Sequence, residues 1–297
     1  MKRLFAVLVL ALLAYASYVL AGIPSRDRVR GLARKNPDKT SVMLQREAEA
    51  QKARRKPRRA QSWVPLSRVS RHLIHAVVAA EDPNFFGHAG IDWDAVKESL
   101  ETNVRQARFA RGGSTLTQQL AKNLFFTTGK TITRKLRELL VARRLEQELT
   151  KKRILELYLN IIEWGDGVYG CEAAAQRYYA KPAAELNETE AAGLAAMVPS
   201  PRRINPRVDP ARHARAQKRI LWLMARLGYV KRSVGGLGAG PEPPPEVIES
   251  GDEPVEPEDA PAPEPAAVPA PVATPQAAPE LAIQPSAAPT QPPGGGM

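Results

Sequence analysis

Seventeen of the 27 prolines in this chain fall within residues 241–297, a stretch that also holds ten acidic residues and neither lysine nor arginine. Proline cannot continue a helix or a central strand. With almost no aromatic or large apolar side chains, the segment cannot bury enough surface to offset the entropy of ordering it. Residues 233–297 are therefore expected to form a disordered, acidic Pro/Ala-rich tail, partly polyproline-like. Any folded domain must be built from what precedes them. Residues 1–240 carry all 43 basic residues against 21 of the 31 acidic ones, so the foldable part has a net charge of about +22 where the whole chain has +12. Nucleic acid, an anionic membrane surface or a pyrophosphate-bearing lipid would each suit such a charge.

The N-terminus separates these partners. Behind Met1, Lys2 and Arg3, residues 4–22 form an uncharged, mostly apolar run of nineteen residues, long enough to cross a bilayer as a helix. We read 1–3 as a cytoplasmic stub and 4–22 as a transmembrane anchor, which favours the membrane and sets nucleic acid aside. A cleaved signal peptide is the alternative, since Ala14, Ala16 and Ala21 are small; the run, however, exceeds the usual ~7–15 residues of a signal core. Residues 26–59 hold thirteen basic and four acidic residues, making 23–62 a basic juxtamembrane segment. Its cluster Arg54, Arg55, Lys56, Arg58 and Arg59 is suited to anionic headgroups, although positive-inside counting alone would keep this flank in the cytoplasm. Cys171 is the single cysteine, so no intrachain disulfide can form.

Between residues 65 and 229 apolar side chains recur at three- and four-residue spacing, with short Gly or Pro breaks and no convincing alternating strand. The spacing predicts a helix over 66–80, with Ser67 as cap and a stop at Glu81-Asp82-Pro83, because proline restricts the residue before it. A second helix over 132–149 carries Ile132, Leu136, Leu139, Ala142, Leu145 and Leu149 on one stripe. A third covers 152–164. Asn187 and Glu190 form a capping box, and Asp209-Pro210 opens a last helix to about residue 227. The chain is therefore read as mainly α.

The candidate chemistry centres on residues 112–123, G-G-S-T-L-T-Q-Q-L-A-K-N. Gly112 and Gly113 allow close backbone approach, and Thr115 with Gln118 fits a capping box, so a helix should open here with N–H groups able to attract phosphate. Lys122, Lys130, Arg134, Lys135 and Arg137 follow. Two carboxylates flank the run. Glu81, near Ala79, Ala80, Phe85 and Phe86, is a candidate general base if burial raises its pKa; the alternative is a solvated helix end. Glu138 stands one turn after Arg134, where an exposed i,i+4 pair would be worth only ~0.3–0.5 kcal/mol. His88 has no serine, cysteine or second histidine partner motif, and is expected to brace the Glu81 loop. Phe125 and Phe126 are read as an exposed apolar jaw or as core. Tyr158, Asn160, Tyr169 and Gly170 are read as structural.

The 112–123 run resembles the second signature of the peptidoglycan glycosyltransferases, which polymerise lipid II, and other segments extend the likeness in order. E-D-P-N-F-F-G-H-A-G at 81–90 is similar to the first motif, R-K-L-R-E at 134–138 to the third, and K-K-R-I-L-E-L-Y-L-N at 151–160 with G-D-G-V-Y-G at 165–170 to the fourth. A fifth is looser, with A-Q-K-R ahead of Ile220 and Leu221, and receives no catalytic role.

The resemblance spans roughly 63–228. It implies a glycosyltransferase domain at 63–232, lysozyme-like and helical, with a smaller membrane-proximal lobe, displayed in the periplasm on the inner membrane. It implies that Glu81 is the base and Glu138 the second essential acid. Ser114, Gln118, Lys122, Lys130, Arg134 and Lys135 would line the donor's sugar and phosphates. The implied reaction inverts an α-linked diphosphate to a β-1,4 bond and releases undecaprenyl pyrophosphate. The expected partners are lipid II, the nascent glycan chain, the membrane and cell-wall synthesis proteins. No metal ligands are assigned, and Mg2+ or Mn2+ is optional. The chain after Tyr229 is too short and proline-rich for a transpeptidase. A wall-cleaving hydrolase with a shared helical lobe, and a non-catalytic membrane scaffold working through the tail, remain the alternatives.

Overall fold

The computed structural model describes residues 1–106 and 113–231; Gly112 and the tail read at 233–297 lie outside the described residues. Helix α1, Lys2–Ala21, is about 30 Å long at 1.5 Å per residue. Its most apolar window has a mean hydropathy of 2.4, and almost none of that surface is covered by the rest of the protein. A helix of this length and composition can cross a membrane.

Two short helices follow, α2 at Arg26–Gly31 and α3 at Ser41–Lys52, capped by Ser25 and Thr40. The stretch read as basic and juxtamembrane is thus partly folded onto the domain, since Val29, Leu32 and Met43 enter its core. After a 3-10 turn at Leu66–Arg68, α4 runs Arg71–Glu81. Its cap is Ser70, not the expected Ser67. Val69 is extended, and the Ser70 hydroxyl accepts from His72 N–H at 3.2 Å while donating to Leu186 O at 2.7 Å. At its other end Asp82 leaves helical geometry, as its place before Pro83 requires.

Helices α5 (Trp93–Gln106), α6 (Leu116–Phe125), α7 (Ile132–Glu148) and α8 (Lys151–Ile161) come next. Thr115, Thr131 and Thr150 cap the last three through their hydroxyls. Helix α8 stops short of the expected 164: Ile162 turns extended, and Trp164 lies buried on a strand. Three strands too short to show alternation therefore form where the sequence pattern suggested none. They are β1 (Ala60–Gln61), β2 (Glu163–Gly165) and β3 (Val168–Tyr169), in the order β1-β3-β2, with β1 parallel and β2 antiparallel to β3. Gly167 makes the β2–β3 turn at φ +71°, where a Cβ would lie 2.7 Å from Arg58 O.

The chain closes with α9 (Cys171–Tyr179), α10 (Glu188–Met197) and α11 (Pro210–Arg226). The capping box of Asn187 and Glu190 is present, and Asp209 caps α11 with proline in its first turn. Every residue of α10 from Ala191 to Met197 is buried. Its small side chains let α4 and α11 approach closely: a Cβ on Gly193 would collide with Tyr179 and Gln217. Leu73, Ala76 and Val77 of α4, Leu120 of α6, Ile154 and Leu157 of α8, and Leu194 of α10 are fully buried in one core.

The stripe expected on α7 is divided. Ala142, Leu145 and Leu149 are buried, whereas Ile132 is 79% exposed and Leu136 38%; beside the stripe, Val141 is buried and Leu140 is 42% exposed. Phe125 and Phe126 are half-buried against the core edge, with the Arg28 guanidinium 5.3 Å over the Phe125 ring. The exposed apolar ridge belongs to α7 and not to these phenylalanines.

Candidate active site

Glu81 is the last residue of α4, held against α6. Gln119 Nε2 donates to Glu81 Oε2 at 2.7 Å, and Gln119 Oε1 accepts from the Tyr158 hydroxyl at 2.8 Å. The residue keeps part of its surface open, yet its carboxylate is enclosed. Burial pushes its pKa above the ordinary carboxylate value; the Gln119 hydrogen bond and the Lys122 charge oppose this, and the neighbouring Asp82 adds to it. A carboxylate so placed is more basic than an exposed one, as a general base requires.

Asp82 faces the other way. His88 Nε2 lies 3.0 Å from both of its oxygens, and Leu116 N–H donates to Oδ2 at 3.0 Å. Because Gly90 N–H donates to His88 Nδ1 at 3.1 Å, the ring proton must sit on Nε2 and point at Asp82. His88 braces the loop after Glu81. The α6 start is consequently only partly open to a ligand: Asp82 occupies Leu116 N–H and Thr115 occupies Gln118 N–H. Only half of the capping box forms, since Gln118 Nε2 donates instead to Gly90 O at 3.3 Å.

The cations gather on α6 and α7. Lys135 Nζ donates to Ser114 Oγ at 2.7 Å and to Gln118 Oε1 at 2.8 Å, and stands 3.8 Å from Glu138 Oε2. Arg134 pairs with Glu138 Oε1. This pair is not the solvated one the spacing alone would suggest, as Glu138 is 4% and Arg134 15% exposed at the side chain. Arg134 Nε is buried without a hydrogen-bond acceptor among the described residues. Burial lowers the Lys135 pKa, Glu138 opposes this, and Arg134 and Lys122 reinforce it. Lys122 bears electrostatically on both Glu81 and Lys135, so it connects the two carboxylates' surroundings. Ser114, Gln118, Lys122, Arg134, Lys135 and Glu138 thus share one neighbourhood with Glu81. Lys130 is exposed in the loop before α7 and makes no hydrogen bond or ion pair with them.

Gln119 and Tyr158 extend the set picked out from sequence. Asn160 accepts from Val64 N–H at 2.9 Å and donates to Val64 O and Glu156 O, tying α8 to the segment before α4. Gly170, at φ +81°, lets its backbone pass Asn160 O where a Cβ would be 2.8 Å away.

Two places could be asked to hold a divalent cation. Asp82, His88 and Asp92 bring ligand atoms within 4.8 Å of one another. Those atoms are already engaged, Asp82 with His88, and Asp92 with Ala95 N–H at 3.0 Å and Asn84 Nδ2 at 3.1 Å. Beside Glu138 the neighbours are Arg134 and Lys135, whereas Mg2+ or Mn2+ requires several oxygen ligands. The described residues do not fit a resident cation at either place.

A family model described as transglycosylase matches residues 47–225. The chain is 47% identical over 190 residues to the biosynthetic peptidoglycan transglycosylase of Azoarcus sp. strain BH72, covering 63% of this chain and 82% of that protein. It is 48% identical over 167 residues to the protein of the same name from Herminiimonas arsenicoxydans, covering 56% and 72%. With that of Chromobacterium violaceum it shares 43% over 201 residues, covering 67% and 85%.

Proposed function

The chain belongs to the transglycosylase family, and we propose from that premise that it is a peptidoglycan glycosyltransferase working on lipid II at a membrane. The observation that carries this reading is a desolvated carboxylate, Glu81, whose helical neighbour α6 also presents Lys122 and Gln118 toward the Lys135, Arg134 and Glu138 cluster.

Glu81 removes the proton from the acceptor sugar's 4-hydroxyl. The freed oxygen pair attacks C1 of the growing chain, the C1–O bond to phosphate breaks, and the diphosphate leaves with that electron pair. A single displacement converts the α-linked donor into a β-1,4 bond. Charge accumulating on the diphosphate is met by Lys122, Lys135 and Arg134, whose buried Nε is a donor left for a ligand oxygen. Glu138 holds Arg134 and Lys135 in position, because its two oxygens face them. Lys130, exposed in the loop before α7, would add charge there without the bidentate fork of an arginine.

Helix α1 anchors the enzyme. Its lysozyme-like helical domain faces the periplasmic side, where it meets lipid II, the nascent strand and cell-wall synthesis proteins, and undecaprenyl pyrophosphate is released into the membrane. No step requires Mg2+ or Mn2+.

Purified full-length protein in proteoliposomes, given labelled lipid II in one tube and finished peptidoglycan in another, tests the reading. Polymer in the first tube supports synthesis. Solubilised fragments from the second, with no polymer in the first, would replace it with a wall-cleaving activity.

A further inference from the structure

Helix α7 has two working faces. One carries Arg134, Lys135 and Glu138 into the candidate site. The other follows the chain out of α1 in register: Thr133 Oγ1 lies 3.1 Å from the Tyr15 hydroxyl, Arg137 meets Tyr18 and Val19, Arg144 donates to Pro24 O at 2.6 Å, and Glu148 pairs with Arg26 and with Arg30 at 2.9 Å. Residue numbers rise together along both partners. The first turns of α7 therefore stand level with the last turns of the anchor, and its end stands level with α2.

Arg137 makes the most of these contacts, two hydrogen bonds and a ring contact. At the end of α1, Gly22 N–H bonds back only three residues, to Val19 O at 3.3 Å, which releases Tyr18 O from the helical ladder. Arg137 takes that carbonyl at 2.5 Å and Val19 O at 3.1 Å, with its guanidinium 4.7 Å over the Tyr18 ring. A cation here also meets the negative end of the α1 dipole. Gly22 makes room for it, since a Cβ there would fall 2.2 Å from Arg137 Cζ. The exposed ridge of Ile132, Leu136 and Leu140 lies on these same turns of α7. An apolar ridge on turns that pair with the anchor suits the apolar surroundings of a bilayer.

We propose that Arg137 is a positioning residue that locks the exit of the anchor to α7, so that the anchor sets the height at which Arg134, Lys135 and Glu138 meet a lipid-borne diphosphate. This rests on the lipid II reading above. The anchor then does more than raise the local concentration of enzyme at the membrane. Its last turn is part of the structure that aligns donor and base, and misalignment of about 1 Å can cost on the order of 10²-fold in rate.

The test is a double-variant cycle on the full chain in proteoliposomes, with lipid II polymerisation as readout. Arg137→Ala is expected to lower kcat by about 10- to 100-fold, and Arg137→Lys, which keeps the charge without the fork or the ring stacking, to fall between it and wild type. Gly22→Ala, whose new methyl displaces the guanidinium, should slow the wild type severalfold but add nothing to Arg137→Ala. Strictly additive losses, or wild-type rates in folded Arg137→Ala, overturn the proposal. Should Arg137→Ala fail to fold, wild-type rates in both Gly22→Ala and Arg137→Lys overturn it equally. Hydrogen exchange reads the clamp without activity: Arg137→Ala should speed exchange in residues 18–24 and 132–138, and unchanged protection sinks the clamp. A wild type that makes no polymer while keeping that exchange response would overturn the lipid II reading and leave the clamp standing.

Discussion

The amide of Gln119 donates to the Glu81 carboxylate at 2.7 Å, and it is the side-chain hydrogen bond that opposes the effect of burial on that group. The same amide is held in orientation by Tyr158, whose hydroxyl donates to its carbonyl at 2.8 Å. Removing the donor in Gln119→Leu should raise the Glu81 pKa further, so the acid limb of the kcat/KM profile moves to higher pH. Tyr158→Phe leaves the donor in place but frees the amide to rotate, and should move the limb the same way by less. Superimposable profiles for wild type and Gln119→Leu would remove Glu81 from the titration that controls the rate.

Glu81→Gln should lower turnover by at least ~10²-fold, the loss typical of a general base. It should also stabilise the fold. Burial raises the folded pKa of Glu81 above its ordinary 4.5, so below 4.5 both folded and unfolded states are protonated and no penalty exists. As the pH rises through the raised value, the wild type must hold an ionised, desolvated carboxylate and loses stability, in full once the pH lies above that value. The glutamine variant has no such loss. Urea unfolding at pH 7 should favour Glu81→Gln, and the advantage should vanish at pH 4. An advantage that is the same at both values would point to packing as its source.

Asp82→Asn tests the brace. His88 Nδ1 is committed to accepting from Gly90 N–H, so Nε2 carries the proton that Asp82 receives. An asparagine can keep one oxygen on Leu116 N–H, but it must then turn its NH2 toward an N–H. Two buried donors face each other, at a cost of about 1–3 kcal/mol. Equal urea midpoints for Asp82→Asn and wild type would mean that the imidazole holds the other tautomer.

Where a helix begins was legible in the sequence at the caps Thr115, Asn187 and Asp209, each of which bonds the backbone of the helix that follows. At α4 the reading was three residues early, because Ser70 and not Ser67 bonds the first turn; Thr131 and Thr150 cap α7 and α8 without having been singled out. Pro83 ends α4 at Glu81 by the same local logic. What could not be read depends on how helices are turned against each other. Gln118 and Gln119 are neighbours about 100° apart on α6, and only packing against α4 and α8 decides that Gln119 meets Glu81 while Gln118 meets Lys135. Periodicity made α7 amphipathic without saying that Ile132, Leu136 and Leu140 stay uncovered beside the anchor. The strands, two or three residues long, offer no period to detect, and the Arg46–Glu163 ion pair at 3.0 Å spans 117 residues of chain.

Burial of the Arg134–Glu138 pair separates its structural from its catalytic contribution. Exposed pairs at this spacing contribute about 0.3–0.5 kcal/mol, but removing one partner of a buried pair leaves a charge without compensation and costs roughly 3–5 kcal/mol. Arg134→Ala would leave Glu138 with only Lys135, 3.8 Å away, and should destabilise the domain on the larger scale. Replacing both partners together, as in Arg134→Met with Glu138→Leu, removes the stranded charge and should restore most of the stability. It cannot restore the guanidinium proposed to meet the diphosphate, nor the carboxylate beside Lys135. The double variant is therefore expected to unfold near the wild-type urea midpoint while polymerising lipid II at least ~10²-fold more slowly. A single Arg134→Ala variant losing under about 1 kcal/mol would mark the pair as solvated. A double variant with near-normal polymerisation would show that its role is confined to holding α7 in place.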